Sequence, residues 1–539
     1  MPTWLSQKTL KISSLAVVAV FCLLGIFFRF YRITANEFFF YDEGFYLNLE
    51  RDYLRFISDH FPRTLYDFWR ALYLCLCLAL KEGKALWFLI SNLRVFVGAE
   101  HLWFFPRVVA ALAGTAVLFV VYHFARRLFN SRLVAGLSVM TLAVLPGHVF
   151  YSRLGLQETL CTLFFLTGFF FYLFPSKLGI RTFISSVFLT LAYFSNYRLI
   201  IIPALVLFCE VYTSLSLKKT PDWRKYMWNT LIFLLLIFLI GNINHAQNTI
   251  VTFAWMFHQA GLAEGTFDPL NLLSYPYYLF KLENAFFAIL FFASVYFMVK
   301  RQWLKSFPFA LTILGMVIFS FTADKAARYI CVMMPFMVMA VAGMVDFLLC
   351  EIKSLTLRRV VVVFTVLMLS TMVVQSFEVA WFKSDYQSSI EYVKNIDPQA
   401  KVMSTQVWVQ NLYMDPHDII ECPLYFPLFV SKYNGGFKYL IVDPQMYISW
   451  IETNRRFGPA MDNYLQFIVS RGRPIKTFSH FNAKMLERFV FEHNENLRRS
   501  IAFLKSDTGD LGVLRVYDAR DCITLIAFAM SVQAKRDRR

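Results

Sequence analysis

The sequence predicts a mainly α-helical membrane protein: about eleven transmembrane helices, interfacial helices in the first outer loop, and a small water-facing α/β domain after the last span. Three observations lead there. Of 539 residues 58% are hydrophobic and 60 are phenylalanine, with a mean hydropathy of +0.51, more apolar surface than a soluble fold can bury. Apolar runs of bilayer-crossing length, about 17–25 residues, recur from the start of the chain to residue 376. From residue 377 onward polar residues dominate, and short strand-like runs alternate with helical ones.

The runs fall at 11–31, 103–124, 133–150, 157–174, 182–197, 199–217, 228–245, 284–300, 306–322, 329–350 and 358–376. Flanking charges give their orientation. With Lys8 and Lys11 on the cytoplasmic side, even-numbered spans should end in basic cytoplasmic loops. They do, at ARRLFNSR (125–132), SKLGIR (176–181), LKKTPDWRKY (217–226), VKRQWLK (299–305) and CEIKSLTLRR (350–359). The outer side then receives 32–102, 246–283 and everything after 377. The first of these holds WRALYLCLCLAL, too short to cross and read as a helix in the interface. The second holds Trp255, His258 and SYPYYLF, again interfacial in character. The apolar run at 15–28 is followed by no small-residue cleavage site and is read as an uncleaved span.

Two domains follow: a membrane domain at 1–376, whose outer loop 32–102 carries an acid pair, and an extracytoplasmic α/β domain at 377–539. The second has strand-like KVMST, FKYLIVD, PIKTF and LGVLRVYDA, and helical PAMDNYLQFIVSRG. Its terminal CITLIAFAM is too short to span, and KRDRR reads as a solvated tail.

The net charge of +17 would suggest nucleic acid in a soluble protein. Here the basic residues gather in short loops between apolar runs, with no basic domain or helix, so nucleic-acid binding is set aside. Nine cysteines are scattered without a CxxC pair, and neither a zinc site nor a disulfide framework is indicated.

The chemistry-bearing stretch is FFFYDEGFYLNLERDY. Asp42 and Glu43 sit at the outer exit of the first span, hemmed by Phe38, Phe39, Phe40, Tyr41 and Phe45. Two neighbouring acids often form an ordinary solvated turn. Partial burial among aromatics would instead raise a carboxylate's pKa and make it a better proton acceptor. Other ionisable residues collect near the same face: Lys84, Arg153 and Glu158, Arg198, Lys325 and Arg328. Charges at span ends often snorkel or cap, but cations gathered opposite an acid pair suit an anionic group such as a phosphate.

The acid pair after the first span, then FPRVVAALAGTAVLFVVYHFARRLFNSRLVAGLSVMTLAVLPGHVFYSRLGLQETL at 105–160, then DKAARYICVMMPF, form an ordered set that closely resembles the GT-C glycosyltransferases. It is similar in particular to the protein mannosyltransferase and aminoarabinose-transferase superfamily, over about residues 1–350. The resemblance implies an inverting transferase that moves a sugar from a polyprenyl-phosphate carrier to an acceptor hydroxyl at the outer face of the membrane. It makes Asp42 the general base that takes the acceptor's proton, and Glu43 either a group that orients a sugar hydroxyl or joins a metal, or one that only positions its loop. Lys84 lies where related enzymes have a lysine followed by prolines; here Ala85 and Leu86 follow. The family's lysine at the sixth span corresponds to Asn196, with Arg198 two residues on as the phosphate contact or a snorkelling side chain. Arg153 and Glu158 match the family's arginine–acid pattern, as substrate ligands or as a mutual brace. Lys325, Arg328 and Tyr329 match its K-x-x-R-Y approach to the tenth span, with Arg328 toward phosphate. Arg107 reads as a structural charge at the top of its helix.

His245 and His258 are on the correct side to bind a divalent metal ion with the acids, but a lone histidine is more often structural, so no metal ligand is assigned. The implied partners are the polyprenyl-phosphate-linked sugar, an acceptor that is protein, lipid or glycan, and the bilayer. A polytopic transporter or flippase is the rival class; it explains neither the gathering of ionisable residues toward one face nor the water-facing domain, and no paired half-repeats are visible. A catalytically degenerate transferase serving as a scaffold or glycan-binding subunit is the other, kept open by the changes around Lys84 and Asn196. With no retention signal in the sequence, a bacterial cytoplasmic membrane is expected rather than the endoplasmic reticulum.

Overall fold

In the computed structural model of the chain, the described residues are 7–34, 41–59, 83–91, 93–96, 103–174, 178–241, 268–322, 325–423, 425–443, 462–479, 483–492, 496–505 and 512–537. The sequence-predicted interfacial run at 69–80 and Trp255, His245 and His258 lie outside them. The chain divides into two compact units. One comprises Met1–Ile33, Tyr53–Ala323 and Ala327–Trp381; the other comprises Thr34–Asp52, Asp324–Ala326 and Phe382–Arg539.

The first unit is helical. Its first helix, α1 (Gln7–Phe30), precedes α2 (Tyr41–Asp59), whose opening turns belong to the second unit. Then come α3 (Ala85–Ser91), α4 (Phe105–Phe129), α5 (Arg132–Ala143), α6 (Pro146–Tyr151) and α7 (Glu158–Leu173). They are followed by α8 (Leu178–Ser195), α9 (Ile202–Leu217), α10 (Trp223–Gly241) and α11 (Ala285–Ala293). The last three are α12 (Trp303–Ser320), α13 (Met334–Glu351) and α14 (Leu355–Trp381).

Local chemistry sets many of these limits. Pro106 opens α4, where its missing N–H costs nothing, and Arg126 and Arg127 sit in the last turn against the negative end of the helix dipole. Asn130 then ends the helix with φ 51°, a left-handed turn that asparagine tolerates. Ser131 starts α5 by accepting the Val134 N–H at 3.2 Å. Before Pro146 the chain is extended at Leu145, so the predicted span 133–150 is two helices rather than one. Ser294 likewise ends α11 within the predicted span 284–300.

These breaks bear on the span count. Among the described residues six helical stretches are long and apolar enough to cross a membrane: Phe105–Phe129, Tyr197–Leu217, Trp223–Ile240, Trp303–Ser320, Ala327–Glu351 and Leu355–Ile396. Five shorter apolar helices, Ala16–Phe30, Arg132–Ala143, Glu158–Leu173, Gly179–Ser195 and Ala285–Val299, fall in five other predicted spans. Among the described residues six stretches thus meet the length and composition of a span, and the expected count of about eleven is not confirmed. The apolar faces of α10 (Leu231, Leu234, Leu235, Phe238) and α14 (Val362, Val363, Val366, Leu367) are exposed, as a lipid solvent permits and water would not. The chain is an integral membrane protein.

At the end of α9 a buried ionic cluster holds the LKKTPDWRKY loop. Glu210 accepts from Lys225 Nζ at 2.9 Å, from the Tyr172 hydroxyl at 2.9 Å and from the Asp222 N–H at 2.8 Å, while Lys225 Nζ lies 3.9 Å from the Tyr172 ring centre. With its lone pairs filled, the buried carboxylate is paired rather than stranded.

The second unit is built on a five-stranded sheet. After α15 (Tyr386–Ile396) come β1 (Lys401–Ser404), α16 (Val407–Gln410), β2 (Ile419–Glu421), α17 (Phe426–Asn434) and β3 (Phe437–Val442). Then follow α18 (Asp462–Arg471), β4 (Lys476–Ser479), α19 (Ala483–Glu492), α20 (Leu497–Lys505), β5 (Val513–Asp518) and α21 (Ala519–Asp537). Strand order is β2-β1-β3-β5-β4, with β2, β1 and β3 parallel and β5 and β4 added antiparallel. The four predicted strands are present. The short β2 lies in a stretch that gives only three strand residues, too few for a periodic signal. The terminal apolar run and the KRD after it continue α21, which Cys522 and Ile526 anchor to the core formed by Met403, Leu440, Val442, Leu465 and Ile468.

Candidate active site

In the first unit the site is built around Glu158, at the start of α7. The positive charges of Arg328, Lys84 and Arg198 all bear on its carboxylate. Gln157 donates to Oε1 at 3.2 Å, and Oε2 is buried with no hydrogen-bond partner among the described residues. Arg198 stacks its guanidinium 3.9 Å from the Tyr329 ring centre, and the Arg328 guanidinium is 5.8 Å from the same ring. Cation–π stacking of this kind holds a guanidinium flat while leaving its edge donors to hydrogen-bond. Lys84, Glu158, Arg328 and Tyr329 are each at most 8% exposed. Five residues scattered over 84–329 in the sequence thus meet at one place.

Backbone features fix two of the cations. Asn196 caps the 3-10 turn Tyr197–Ile201 by accepting the Arg198 N–H at 3.2 Å. Just before Lys84, the Gly83 carbonyl accepts the Tyr197 N–H at 3.0 Å. Gly83 has φ +69°, and a Cβ there would come within 2.5 Å of the Tyr197 ring, so only glycine allows the approach. Asn196, which stands where related enzymes have a lysine, is legible as a cap from being an asparagine before a helical run. Gly83, Tyr197 and Gln157 carried no such signal.

Arg153 has different surroundings. It donates to the carbonyls of Phe28 at 2.6 Å and Ala380 at 3.1 Å, while Arg107 reaches the Ile33 carbonyl at 3.5 Å. Both cations therefore serve the last carbonyls of the first span and the turn after it, the negative end of a helix. Deeper in the bundle Arg29 donates to the Gly25, Ala143 and Leu142 carbonyls and to His148 Nδ1 at 2.7 Å, which requires His148 to be the neutral tautomer with its proton on Nε2.

In the second unit, α2 begins with the acid pair. Asp42 is half-buried, Glu43 fully buried, and Lys325, also buried, belongs to the same unit. The opening turns of this helix pack on the α/β fold. Asn48 Nδ2 donates to the Trp408 carbonyl at 2.7 Å, and Arg51 donates to the Asn411 carbonyl at 3.0 Å. Neither residue was singled out from the sequence. Among the described residues no group of three or more His, Cys, Asp or Glu stands together as a metal site would need.

No protein-family model and no curated protein matches the chain. Solved structures of similar fold do exist. The oligosaccharyltransferase of Archaeoglobus fulgidus in its apo form aligns with a TM-score of 0.55 at 12% identity, covering 85% of this chain and 72% of that one. The archaeal oligosaccharyltransferase AglB from Archaeoglobus fulgidus in complex with an inhibitory peptide and a dolichol-phosphate gives 0.52 at 10% identity, covering 83% and 70%. ArnT from Cupriavidus metallidurans in the apo state gives 0.49 at 13% identity, covering 83% and 95%. The oligosaccharyltransferase is a GT-C superfamily glycosyltransferase, so this chain has the GT-C fold that its sequence resemblance implied.

Proposed function

We propose that the chain is a membrane glycosyltransferase that moves a sugar from a polyprenyl-phosphate carrier to an acceptor hydroxyl, with inversion, on the outer face of a bacterial cytoplasmic membrane. The observation that carries the reading is the gathering of Lys84, Arg198, Arg328 and Tyr329 about Glu158 in a chain with the GT-C fold. One fold neighbour supports the ligand class: it is described in complex with an inhibitory peptide and a dolichol-phosphate.

The chemistry divides as follows. An acceptor hydroxyl is a poor nucleophile until a base takes its proton in the transition state, and Asp42 is that base. As the oxygen bonds to the anomeric carbon, the carbon–oxygen bond to the carrier breaks and its electron pair leaves on the phosphate. Arg198 and Arg328, with Lys84, stabilise that growing charge. Glu158 keeps the three cations from repelling one another and sets where they stand. Arg153 acts as a brace on the Phe28 and Ala380 carbonyls, neither paired with Glu158 nor in contact with substrate, the two roles its sequence pattern offered. Glu43, next to Asp42 in the chain, and Lys325, of the same unit, take the role of substrate contacts.

The test is reconstitution. Purified protein in liposomes is offered radiolabelled undecaprenyl-phosphate sugars that differ in the sugar, with membrane extract as acceptor. Label should pass from the carrier to a product that survives mild acid. Movement of intact carrier between leaflets with no transfer would make the protein a flippase instead.

A further inference from the structure

The opening turns of α2 meet the α/β fold along one stripe. Gly44, Asn48 and Arg51 recur at helical spacing and all face the segment that follows β1. A Cβ on Gly44 would lie 2.6 Å from the Trp408 carbonyl oxygen and 3.0 Å from the Val409 Cα, so backbone touches backbone there. Asn48 Nδ2 bridges the Gly44 and Trp408 carbonyls at 2.7 Å each. Arg51 grips the Asn411 carbonyl at 3.0 Å and the Asn48 Oδ1 at 2.6 Å. Phe45 meets the Trp408 ring edge-on at 5.3 Å.

What α2 rests on is itself fixed. Gln410 Nε2 donates to Ser389 Oγ at 2.8 Å, its Oε1 accepts from Ser404 Oγ, and Ser404 Oγ also accepts the Gln406 N–H at 2.9 Å. Next to it, Tyr386 donates to Asp443 Oδ2 at 2.6 Å and the Asp443 N–H donates to Thr405 Oγ1 at 2.8 Å. Ser404, Thr405 and Gln406 lie at the carboxyl end of β1 and Asp443 at that of β3, parallel strands at the edge where open α/β sheets ordinarily receive what they hold. Here that edge holds a helix of the same chain.

At about 100° per residue, Asp42 falls on the side of α2 opposite the Gly44–Asn48–Arg51 stripe. We propose that Gly44, Asn48 and Arg51 are positioning residues: they clamp the opening turns of α2 to the α/β fold and so set the position and rotation of Asp42 on that unit. The inference rests on the reading of Asp42 as general base. It gives the α/β unit a part in the chemical step, apart from any choice of acceptor.

Full-length protein in liposomes, with whichever undecaprenyl-phosphate sugar supports transfer, tests this. Gly44→Ala and Asn48→Ala should each lower kcat by about 10–100-fold, the scale of an ångström's misplacement. KM for the donor and the stoichiometry of bound undecaprenyl phosphate should stay within about 2-fold of wild type, because neither residue touches the carrier in this account. Arg51→Ala should follow the same pattern, and Arg51→Lys should recover much of the rate, since lysine keeps a donor for the Asn411 carbonyl. A purely structural stripe would lower kcat and bound undecaprenyl phosphate in equal proportion; that outcome overturns the proposal. Hydrogen exchange supplies a readout independent of turnover: Asn48→Ala should speed exchange in 41–52, and unchanged exchange also overturns it. Wild-type turnover in Asp42→Asn would remove the base assignment beneath it. An inactive Asp42→Asn beside Gly44→Ala and Asn48→Ala of normal kcat would remove the clamp alone.

Discussion

Glu158 and the cations that bear on it make the sharpest residue-scale prediction. Arg198→Ala and Arg328→Ala should each weaken binding of undecaprenyl phosphate by roughly 10-fold or more, because a charge-assisted hydrogen bond contributes about 1.5–3 kcal/mol. Fluorescence titration of a labelled carrier analogue measures this, and unchanged affinity in both variants would remove them from the phosphate. Arg153→Ala should act on stability instead: loss of its bonds to the Phe28 and Ala380 carbonyls should cost about 1–3 kcal/mol, read as a lowered Tm in detergent. An affinity loss at unchanged Tm would return Arg153 to the phosphate ligands. The sequence named the charged members of the cluster because ionisable residues near apolar runs are rare and therefore conspicuous. It missed Gly83, Tyr197, Asn48 and Arg51, whose roles depend on backbone carbonyls that no residue pattern announces, and Gln157, whose amide donates to the Glu158 carboxylate.

At the scale of elements, hydropathy and flanking charge located the helices well and their interruptions poorly. Leu145–Pro146 and Ser294 break two predicted spans, and the first break was readable as the proline rule while the second was not. In the α/β unit, alternating runs gave β1, β3, β4 and β5, whereas β2 was too short and α21 owes its length to packing by Cys522 and Ile526. Tertiary contacts outweighed local propensity there. The cluster at the end of α9 carries its own prediction. Lys225→Ala leaves Glu210 charged and buried beside Tyr172, and should cost about 3–5 kcal/mol, seen as a large drop in Tm or in yield of folded protein. A variant as stable as wild type would mean that water reaches the carboxylate.

For the whole molecule, the GT-C fold was legible from the ordered set of motifs, whereas the inward and outward sides stand on the basic loops alone. The orientation is testable with native thiols. Cys350, exposed at the end of α13, lies in a predicted cytoplasmic loop, and burial pushes the Cys422 and Cys522 thiols up to about 12. A membrane-impermeant maleimide should label Cys350 in inside-out vesicles and not in intact cells, with Cys350→Ser identifying the signal. Labelling from the cell exterior would invert the topology and put Asp42 on the wrong side for an outer-face donor.

Replacement of Asp42 by asparagine bears most directly on the mechanism, because it keeps the side chain's size and removes its basicity. With transfer and undecaprenyl phosphate binding measured on the same liposomes, the account predicts a kcat lower by about 100–10,000-fold and carrier affinity within error of wild type. Transfer at the wild-type rate would contradict it.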